Sequence, residues 1–308
     1  MMKITNLSAE PEGLLRSWLP SDLQAEHIVF LPDACPGKSP LPTGSVVLTR
    51  QSDWQRFAVS DCGCGMRLLR SKITADDLTQ QMWDEIALSL KANKGMQGDL
   101  GGGNHFLDAL LPYDEDILYF LIHTGSRMES GIVDDLVDKP AEFNRQFKYT
   151  VEWAEQNRKK VQETLEATIG PAVLILDHPH NTFEETEDGI IIRKGAVKLS
   201  PGGQAIIPSH MTGDCSLVTG TGKLAEILFS MSHGTGRTMS RGEAKTHSLT
   251  YDFGQLFRNV MLPSFLNKKS LTTEGPFAYR ELDDCLALIS EYVKEIKRFS
   301  VVAYMGHL

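Results

Sequence analysis

Long hydrophobic runs are missing from this 308-residue sequence, and so are several local patterns that identify enzyme classes. The longest apolar stretches, such as residues 172–176 and 190–192, have the length of a strand and are too short to cross a bilayer. Residues 1–4 do not lead into the apolar segment of a secretory signal, so we expect a cytoplasmic protein with no membrane association. There is no HExxH, paired CxxC or GxSxG motif, and no internal repeat or low-complexity tract.

Cysteine is scarce and positive charge is in deficit. The five cysteines are an odd number, which does not suit a disulfide framework in a chain of this length. The formal net charge of −9 argues against indiscriminate binding to nucleic acid, because such binding depends on neutralising phosphates. A local cluster such as Arg237, Arg241 and Lys245 can still act within an acidic protein, so the charge leaves a nucleic-acid substrate open.

The composition, with 41% hydrophobic and 23% charged residues, is ordinary for a globular protein, and the apolar spacing predicts both helices and strands. Helical spacing predicts helices over residues 143–165 and 282–296, and a third over about 75–91. Strands are predicted at residues 45–48, 117–123, 172–177, 189–193, 196–199 and 301–304, with a tight hairpin turn at Lys194-Gly195. Because helices and strands do not alternate strictly, the pattern favours an α+β fold, with residues 1–308 as one domain.

Five residues of the types that bind transition metals lie at predicted strand ends or in glycine-rich turns: Asp61, Cys64, His105, His123 and His180. A carboxylate and a thiolate three residues apart suit Mn, Fe, Co or Zn better than Mg or Ca. Beside His180, either Asp177 or Asn181 is placed to fix the second ring nitrogen. Each motif taken alone is more often an ordinary turn that holds an incidental acid, thiol or imidazole. The metal hypothesis therefore depends on their combination.

Two further strings have features of phosphate sites. Glycines 101–103 precede Asn104 and let a phosphate approach the backbone, while Ser126 and Arg127 follow His123 and are expected to face an oxyanion. The order SHGTGR at 232–237 is followed by capping-box spacing at 240–243, which predicts that a helix begins there.

A helix N-terminus beside Arg237 and Arg241 is suited to holding phosphate. A neutral imidazole such as that of His233 can attack phosphorus and form a phosphoramidate. A metal-ligand role for His233 is the competing hypothesis.

Taken in order, these strings resemble the RtcB family of RNA-splicing and repair ligases, in the form of a compact bacterial paralogue. The matching pieces cover most of the chain: residues 31–33, DCGCGMR at 61–67, GGGNHF at 101–106, HTGSR at 123–127, HN at 180–181, RKGA at 193–196, SHGTGRTMSR at 232–241 and AY at 278–279. The resemblance implies one domain with a β-sheet core, flanking helices and a central cleft for metal and nucleotide.

The resemblance also implies two Mn²⁺ ions and GTP. Cys64 would bridge the ions, Asp61 and His105 would complete one of them, and His123 and His180 would complete the other. His233 would be the guanylylated residue, and Asp108 stands where the family usually has glutamate. The residues that the resemblance assigns to the nucleotide are Asn104, Asp108, His233, Gly234, Gly236, Arg237 and Tyr279.

The implied reaction joins an RNA 3′-phosphate, or a 2′,3′-cyclic phosphate after opening, to a 5′-hydroxyl in RNA repair or tRNA splicing. The implied partner is RNA with broken ends, and the sequence names no protein partner. One alternative is a metal-dependent phosphoesterase or cyclic phosphodiesterase on RNA ends without nucleotide transfer, and another is a catalytically silent RNA-end-binding protein. Five retained ligands count against the silent protein, because buried polar groups are costly without a partner. His233 with its glycines and arginine favours the ligase over the esterase.

Among the departures from the family pattern that bear on guanine selectivity and on the RNA, two lie within the matching region. Cys35 stands where members commonly have histidine, and residues 208–213 replace a glycine-serine-methionine loop.

Overall fold

A computed structural model describes residues 2–37, 39–126, 128–267, 271–306 and 308. Its strands are β1 (Lys3–Asn6), β2 (His27–Cys35), β3 (Thr43–Thr49), β4 (Gly65–Thr74), β5 (Phe106–Pro112), β6 (Ile117–Thr124), β7 (Val173–Pro179), β8 (Asn181–Thr186), β9 (Gly189–Lys194), β10 (Ala196–Lys198), β11 (Gln204–Pro208), β12 (Asp214–Gly220), β13 (Ser230–Ser232) and β14 (Val293–Met305). Its α-helices are α1 (Glu12–Ser17), α2 (Gln80–Ala92), α3 (Glu129–Asp134), α4 (Pro140–Ile169), α5 (Arg241–His247), α6 (Phe253–Leu256) and α7 (Leu282–Leu288).

Two β-sheets form the centre of the fold. The larger has the strand order β11-β12-β14-β5-β6-β4-β7, and every neighbouring pair in it is antiparallel. The smaller has the order β1-β2-β3-β9-β8 and is antiparallel except between β1 and β2. Largely antiparallel sheets with helices outside them make this an α+β fold with a β-sheet core and flanking helices, as predicted.

Strand β6 shows how the larger sheet positions polar side chains. Successive side chains of a strand point to opposite faces. Leu118, Phe120 and Ile122 pack in the hydrophobic cluster that also contains residues of α2 and α4, whereas Tyr119 and Leu121 belong to the cluster on the other face. Both faces are therefore covered, which explains why nearly every position of β6 is apolar. His123 continues the face of Tyr119 and Leu121.

Helix α4 packs its apolar stripe on the sheet. It begins with Pro140, whose missing N–H is no loss in the first turn, and Gly170 at φ +80° ends it. Phe143, Val161 and Leu165 are fully buried along the stripe, which confirms the helix predicted over 143–165. None of the helices in the described ranges is long and apolar enough to cross a membrane.

The predicted strands are confirmed, but three other predictions differ from the structure. The helix predicted at 282–296 ends at Leu288, because the chain beyond it joins the sheet as β14 between β12 and β5. The helix predicted from residue 75 begins at Gln80, with Thr79 as its N-cap. The predicted hairpin at Lys194-Gly195 is wrong: β9 pairs with β3 and β8, while β10 pairs with β13.

Candidate metal and nucleotide site

The five residues predicted to bind metal come together in two groups that share one sulfur. Cys64, His123 and His180 form one group, and Asp61, Cys64 and His105 form the other. Within each group the ligand atoms all lie within 4.8 Å of one another. Cys64 Sγ lies 3.4 Å from His105 Nε2 and 3.3 Å from His123 Nε2. The cysteine and the three histidines are buried, whereas Asp61 is partly exposed.

Sheet topology explains this convergence. The strand order β5-β6-β4-β7 is antiparallel throughout, so the beginnings of β5 and β4 lie beside the ends of β6 and β7. His105 directly precedes β5, and Cys64 directly precedes β4. His123 is the second-to-last residue of β6, and His180 directly follows β7. Antiparallel pairing thus gathers residues that are up to 119 positions apart (61 to 180) at one end of four strands.

The turn that carries Asp61 and Cys64 has an unusual backbone. Ser60 and Asp61 have φ values of 69° and 56°, a left-handed conformation that costs non-glycine residues on the order of 1–3 kcal/mol. Gly63 has φ +73°, and a Cβ there would lie 2.9 Å from Cα of Val151 on α4. Asn181 helps to hold this turn, since its side-chain amide donates to Asp61 O at 2.9 Å. Strained backbone of this kind persists where the surrounding structure holds it in place, and it is often found at functional sites.

Hydrogen bonds fix one of the imidazoles and leave another without a partner. His123 Nδ1 lies 2.9 Å from Asn104 O, so this nitrogen carries the proton and Nε2 faces Cys64. His180 Nδ1 is buried and has no hydrogen-bond partner among the residues that the structure describes. The prediction that Asp177 or Asn181 fixes His180 is wrong, because Asp177 binds two arginines and the Asn181 side chain binds backbone atoms of Asp61 and Gly195.

Burial favours the neutral forms of two of the imidazoles and of the thiol. Burial, with His105 and His233 nearby, lowers the pKa of His123 well below 6.5. Burial, with His233 and His123 nearby, does the same to the pKa of His180. Burial and then Asp61 raise the pKa of Cys64 well above 9.0. Neutral imidazoles are the metal-binding form, and a divalent cation would favour the thiolate, so binding would release a proton.

The donor set fits a transition-metal centre. Two groups of nitrogen, sulfur and oxygen donors are preassembled around a shared sulfur, and one of them contains His180, whose buried Nδ1 has no hydrogen-bond partner among the described residues. Mixed donors of this kind suit Mn, Fe, Co or Zn.

His233 lies beside these groups and is held by a buried carboxylate. Its Nδ1 lies 2.7 Å from Oδ2 of the fully buried Asp33 and 2.9 Å from Gly195 O. Both oxygens accept, so Nδ1 carries a proton, and in the neutral ring the lone pair is on Nε2. The His233 ring centroid is 4.5 Å from that of His180 and 6.3 Å from that of His123. An imidazole oriented in this way is suited to act as a nitrogen nucleophile.

The role of Asp33 was missed by reasoning from spacing. It lies in β2, 200 positions before His233, and the only signal was its presence in the matching piece at 31–33. Gly236 brings the two segments together: it has φ +76°, and a Cβ there would lie 2.5 Å from Asp33 O. A side chain at 236 would push the histidine loop away from its carboxylate.

A cavity of about 430 Å³ lies next to His233, within the range of small-molecule sites. Its wall includes Asp61, His123 and His180 of the two ligand groups. All the residues predicted to bind nucleotide also line it: Asn104, Asp108, His233, Gly234, Gly236, Arg237 and Tyr279. Nucleotide binding by these residues stays a prediction, but their common location is that of one substrate pocket.

Buried Glu274 organises the arginines at the edge of this cavity. It accepts hydrogen bonds from Arg237 Nη1 at 2.8 Å, from Arg241 Nε at 2.9 Å and from the Tyr279 hydroxyl. Arg237 also donates to the carbonyls of Thr273 and Met239, so the protein itself occupies its main donors. The terminal nitrogens of half-exposed Arg241 remain for a ligand, and Nη2 lies 4.0 Å from where a Cβ of Gly103 would be. Sequence reasoning did not identify Glu274.

Two more predictions concern the neighbouring loops. The helix predicted after His233 is confirmed, because Ser240 and Glu243 form a complete capping box at the start of α5. The prediction that Ser126 faces an oxyanion is wrong. Its buried hydroxyl donates to Cys62 O at 2.7 Å and stabilises the turn that carries Asp61 and Cys64. Arg127, predicted to face the same oxyanion, lies outside the described residues.

Asp108 is a buried carboxyl in the cavity wall. Burial raises its pKa well above 3.8, and its Oδ1 has no hydrogen-bond partner among the described residues. A protonated carboxyl both donates and accepts, so Asp108 offers a polar contact that a bound base could complete.

Comparison with known proteins agrees with the sequence resemblance. A family model described as tRNA-splicing ligase RtcB matches residues 137–305. RNA-splicing ligase RtcB of Escherichia coli K12 is 24% identical, with 88% of each chain covered. RNA-splicing ligase RtcB2 of another Escherichia coli strain is 26% identical over 85% of this chain and 83% of its own. The tRNA-splicing ligase RtcB of Nanoarchaeum equitans is 24% identical over 90% and 87%. Since the family model spans more than half of the residues, this chain belongs to the RtcB family.

Proposed function

We propose that this chain is an RNA ligase that uses GTP and Mn²⁺ to join RNA 3′-phosphate or 2′,3′-cyclic phosphate ends to 5′-hydroxyl ends through guanylylated His233. The observation that carries the proposal is the position of His233: its ring is 4.5 Å from that of His180, and Asp33 holds its Nδ1. Relatives named RNA-splicing and tRNA-splicing ligases support an RNA substrate. The proposal takes residues 1–308 as one ligase domain that acts on broken RNA in the cytoplasm.

Two metal ions would be held by the two ligand groups. Asp61, Cys64 and His105 would hold one ion, and Cys64, His123 and His180 would hold the other. Bound ions supply Lewis-acid neutralisation of phosphate charge. The chain's own residues supply orientation and proton control.

His233 provides the first covalent step. Its Nε2 lone pair attacks the α-phosphorus of GTP, the bond to the β-phosphate oxygen breaks, and pyrophosphate leaves. The imidazole becomes positively charged as the N–P bond forms, and the buried carboxylate of Asp33 at 2.7 Å stabilises that charge. Asp33 therefore both selects the reacting nitrogen and favours the product of its attack.

The remaining steps transfer GMP and seal the RNA. An oxygen of the RNA 3′-phosphate displaces His233 from the GMP phosphorus, which leaves an activated phosphoanhydride. The 5′-hydroxyl then attacks the RNA phosphorus, GMP leaves, and a phosphodiester remains. Such displacements depend mainly on positioning and charge stabilisation in the cavity. Asn104, Asp108, Arg241 and Tyr279 all line the cavity. In this proposal Asn104 and Arg241 contact the phosphates, and Asp108 and Tyr279 contact the base.

Labelling with GTP tests the proposal. Protein incubated with Mn²⁺ and α-³²P-GTP is expected to form an acid-labile, alkali-stable adduct, which the His233→Ala variant lacks. His247→Ala is the matched control, because this exposed histidine does not line the cavity and should not affect labelling. Absence of the adduct in the wild type, with metal-dependent opening of a cyclic phosphate, would instead support the phosphodiesterase alternative. RNA-end binding without either activity would support a silent protein.

A further inference from the structure

Two adjacent polar residues interrupt the buried stripe of α4. Asn157 is 0% exposed and Arg158 is 1% exposed. Burying an amide or a guanidinium is costly unless its donors are satisfied, so their partners show why the fold retains them.

Arg158 contacts three segments that carry predicted metal ligands. Its Nη1 donates to Gly63 O at 3.0 Å and to Thr124 O at 3.2 Å, and its Nε donates to Asp177 Oδ1 at 2.6 Å. Gly63 directly precedes Cys64, Thr124 directly follows His123, and Asp177 lies three residues before His180. One planar guanidinium therefore spans the Cys64 turn, the end of β6 and the end of β7.

Asn157 connects the fourth segment. Its Oδ1 accepts from Gly98 N at 2.7 Å, and its Nδ2 donates to Asp99 O at 3.1 Å and to Gly125 O at 3.2 Å. Gly98 and Asp99 lie in the loop that leads through the glycines to His105, and Gly125 lies two residues after His123. The side-chain amide thus ties the His105 loop to the end of β6.

We propose that Asn157 and Arg158 are positioning residues of the metal centre, which hold its four ligand-bearing segments in register from the side of α4. The inference rests on the metal centre of the proposed function. Metal binding requires ligand distances within about 0.2 Å, and segments that meet only at strand ends need an external brace to keep that spacing. The guanidinium suits this task because its donors lie in a rigid plane.

Arg67 offers a matched control within the same network. It is buried, its Nε donates to the other oxygen of Asp177 at 2.7 Å, and its Nη1 donates to Gln162 at 3.0 Å. These partners do not include the backbone beside a predicted ligand. Arg158→Met and Arg67→Met each leave Asp177 with one arginine, so both remove one buried ion pair to the β7 segment. Only Arg158→Met also removes the hydrogen bonds to Gly63 O and Thr124 O, beside Cys64 and His123.

The test is a Co²⁺ titration of the metal-free proteins. The thiolate-to-cobalt charge-transfer absorption reports binding, and thermal unfolding of each protein is measured in parallel. Arg158→Met is expected to raise the Co²⁺ Kd about 10- to 100-fold, the range found when groups supporting metal ligands are removed. Arg67→Met should change the Kd less than about twofold while lowering the unfolding temperature comparably. Arg158→Lys, which keeps the charge without the planar fork, should also weaken binding and serves if Arg158→Met does not fold.

Equal Kd changes in Arg158→Met and Arg67→Met, or wild-type affinity in both Arg158 variants, would overturn the inference. Failure of the proposed function gives a different result: wild-type protein that binds Co²⁺ with Arg158-dependent affinity but forms no GMP adduct. Wild-type protein that binds no Co²⁺ would overturn both.

Discussion

Asp33 determines which nitrogen of His233 faces the cavity, although the two residues are 200 positions apart. We expect Asp33→Ala to slow formation of the GMP adduct by about 10²-fold or more, because the ring loses both its orientation and its counter-charge. Stopped reactions with labelled GTP would give the rate, and equilibrium dialysis would show that GTP still binds. Asp188→Ala, an exposed acid outside the cavity, is the control. An unchanged rate in Asp33→Ala would contradict this role.

The chemistry of individual residues was partly accessible from the sequence. Cys64 and the three histidines could be chosen because their residue types, at strand ends and in glycine turns, are those of metal ligands. Asp33 and Glu274 could not, because an aspartate in a strand or a glutamate in a loop has no local signature. Their partners are set by tertiary contacts.

At the scale of elements, the turn around Gly236 holds the histidine loop against β2. Gly236→Ala would place a methyl group 2.5 Å from Asp33 O at a φ of +76°. We expect a loss of about 1–3 kcal/mol in the free energy of unfolding, together with a slower guanylylation of His233. Urea unfolding and adduct formation measure the two effects.

Gly131→Ala is the matched control for that substitution. Gly131 lies in α3, and no atom lies within 4 Å of the position of its Cβ. Alanine is the better helix former there, so this variant should be neutral or more stable. Equal behaviour of the two variants would show that the contact between Gly236 and Asp33 is unimportant.

Element prediction succeeded where local period and tertiary pairing agree. The 3.6-residue apolar period was enough to predict α4, because one face of this helix packs on the sheet along its whole length. The apolar residues at 289, 293 and 296 continue the period of α7, yet residues from 293 onwards form β14, because pairing with β12 and β5 outweighs local propensity. The turn at Gly195 reads as a hairpin, but the Asn181 side chain accepts from Gly195 N at 2.8 Å and redirects the chain.

At the scale of the whole molecule, buried histidines make stability depend on pH. Burial lowers the pKa of His27 and of His210 to about 4, and it lowers those of His123 and His180 well below 6.5. Between pH 6.5 and about 4 the unfolded chain therefore binds protons that the folded protein does not, so the free energy of unfolding should fall as the pH falls through this window. Urea midpoints of metal-free protein at pH 7.5 and pH 5 measure the effect. A midpoint that is unchanged or higher at pH 5 would contradict it.

Cys64 belongs to both ligand groups, so its sulfur would serve two ions in a site assembled from four strand ends. Elemental analysis of protein saturated with Mn²⁺ and freed of excess metal tests it most directly. We predict two ions per wild-type chain, two in Cys285→Ala, a buried cysteine outside the ligand groups, and almost none in Cys64→Ala. Two ions retained in folded Cys64→Ala would contradict the shared-sulfur site and the account built on it.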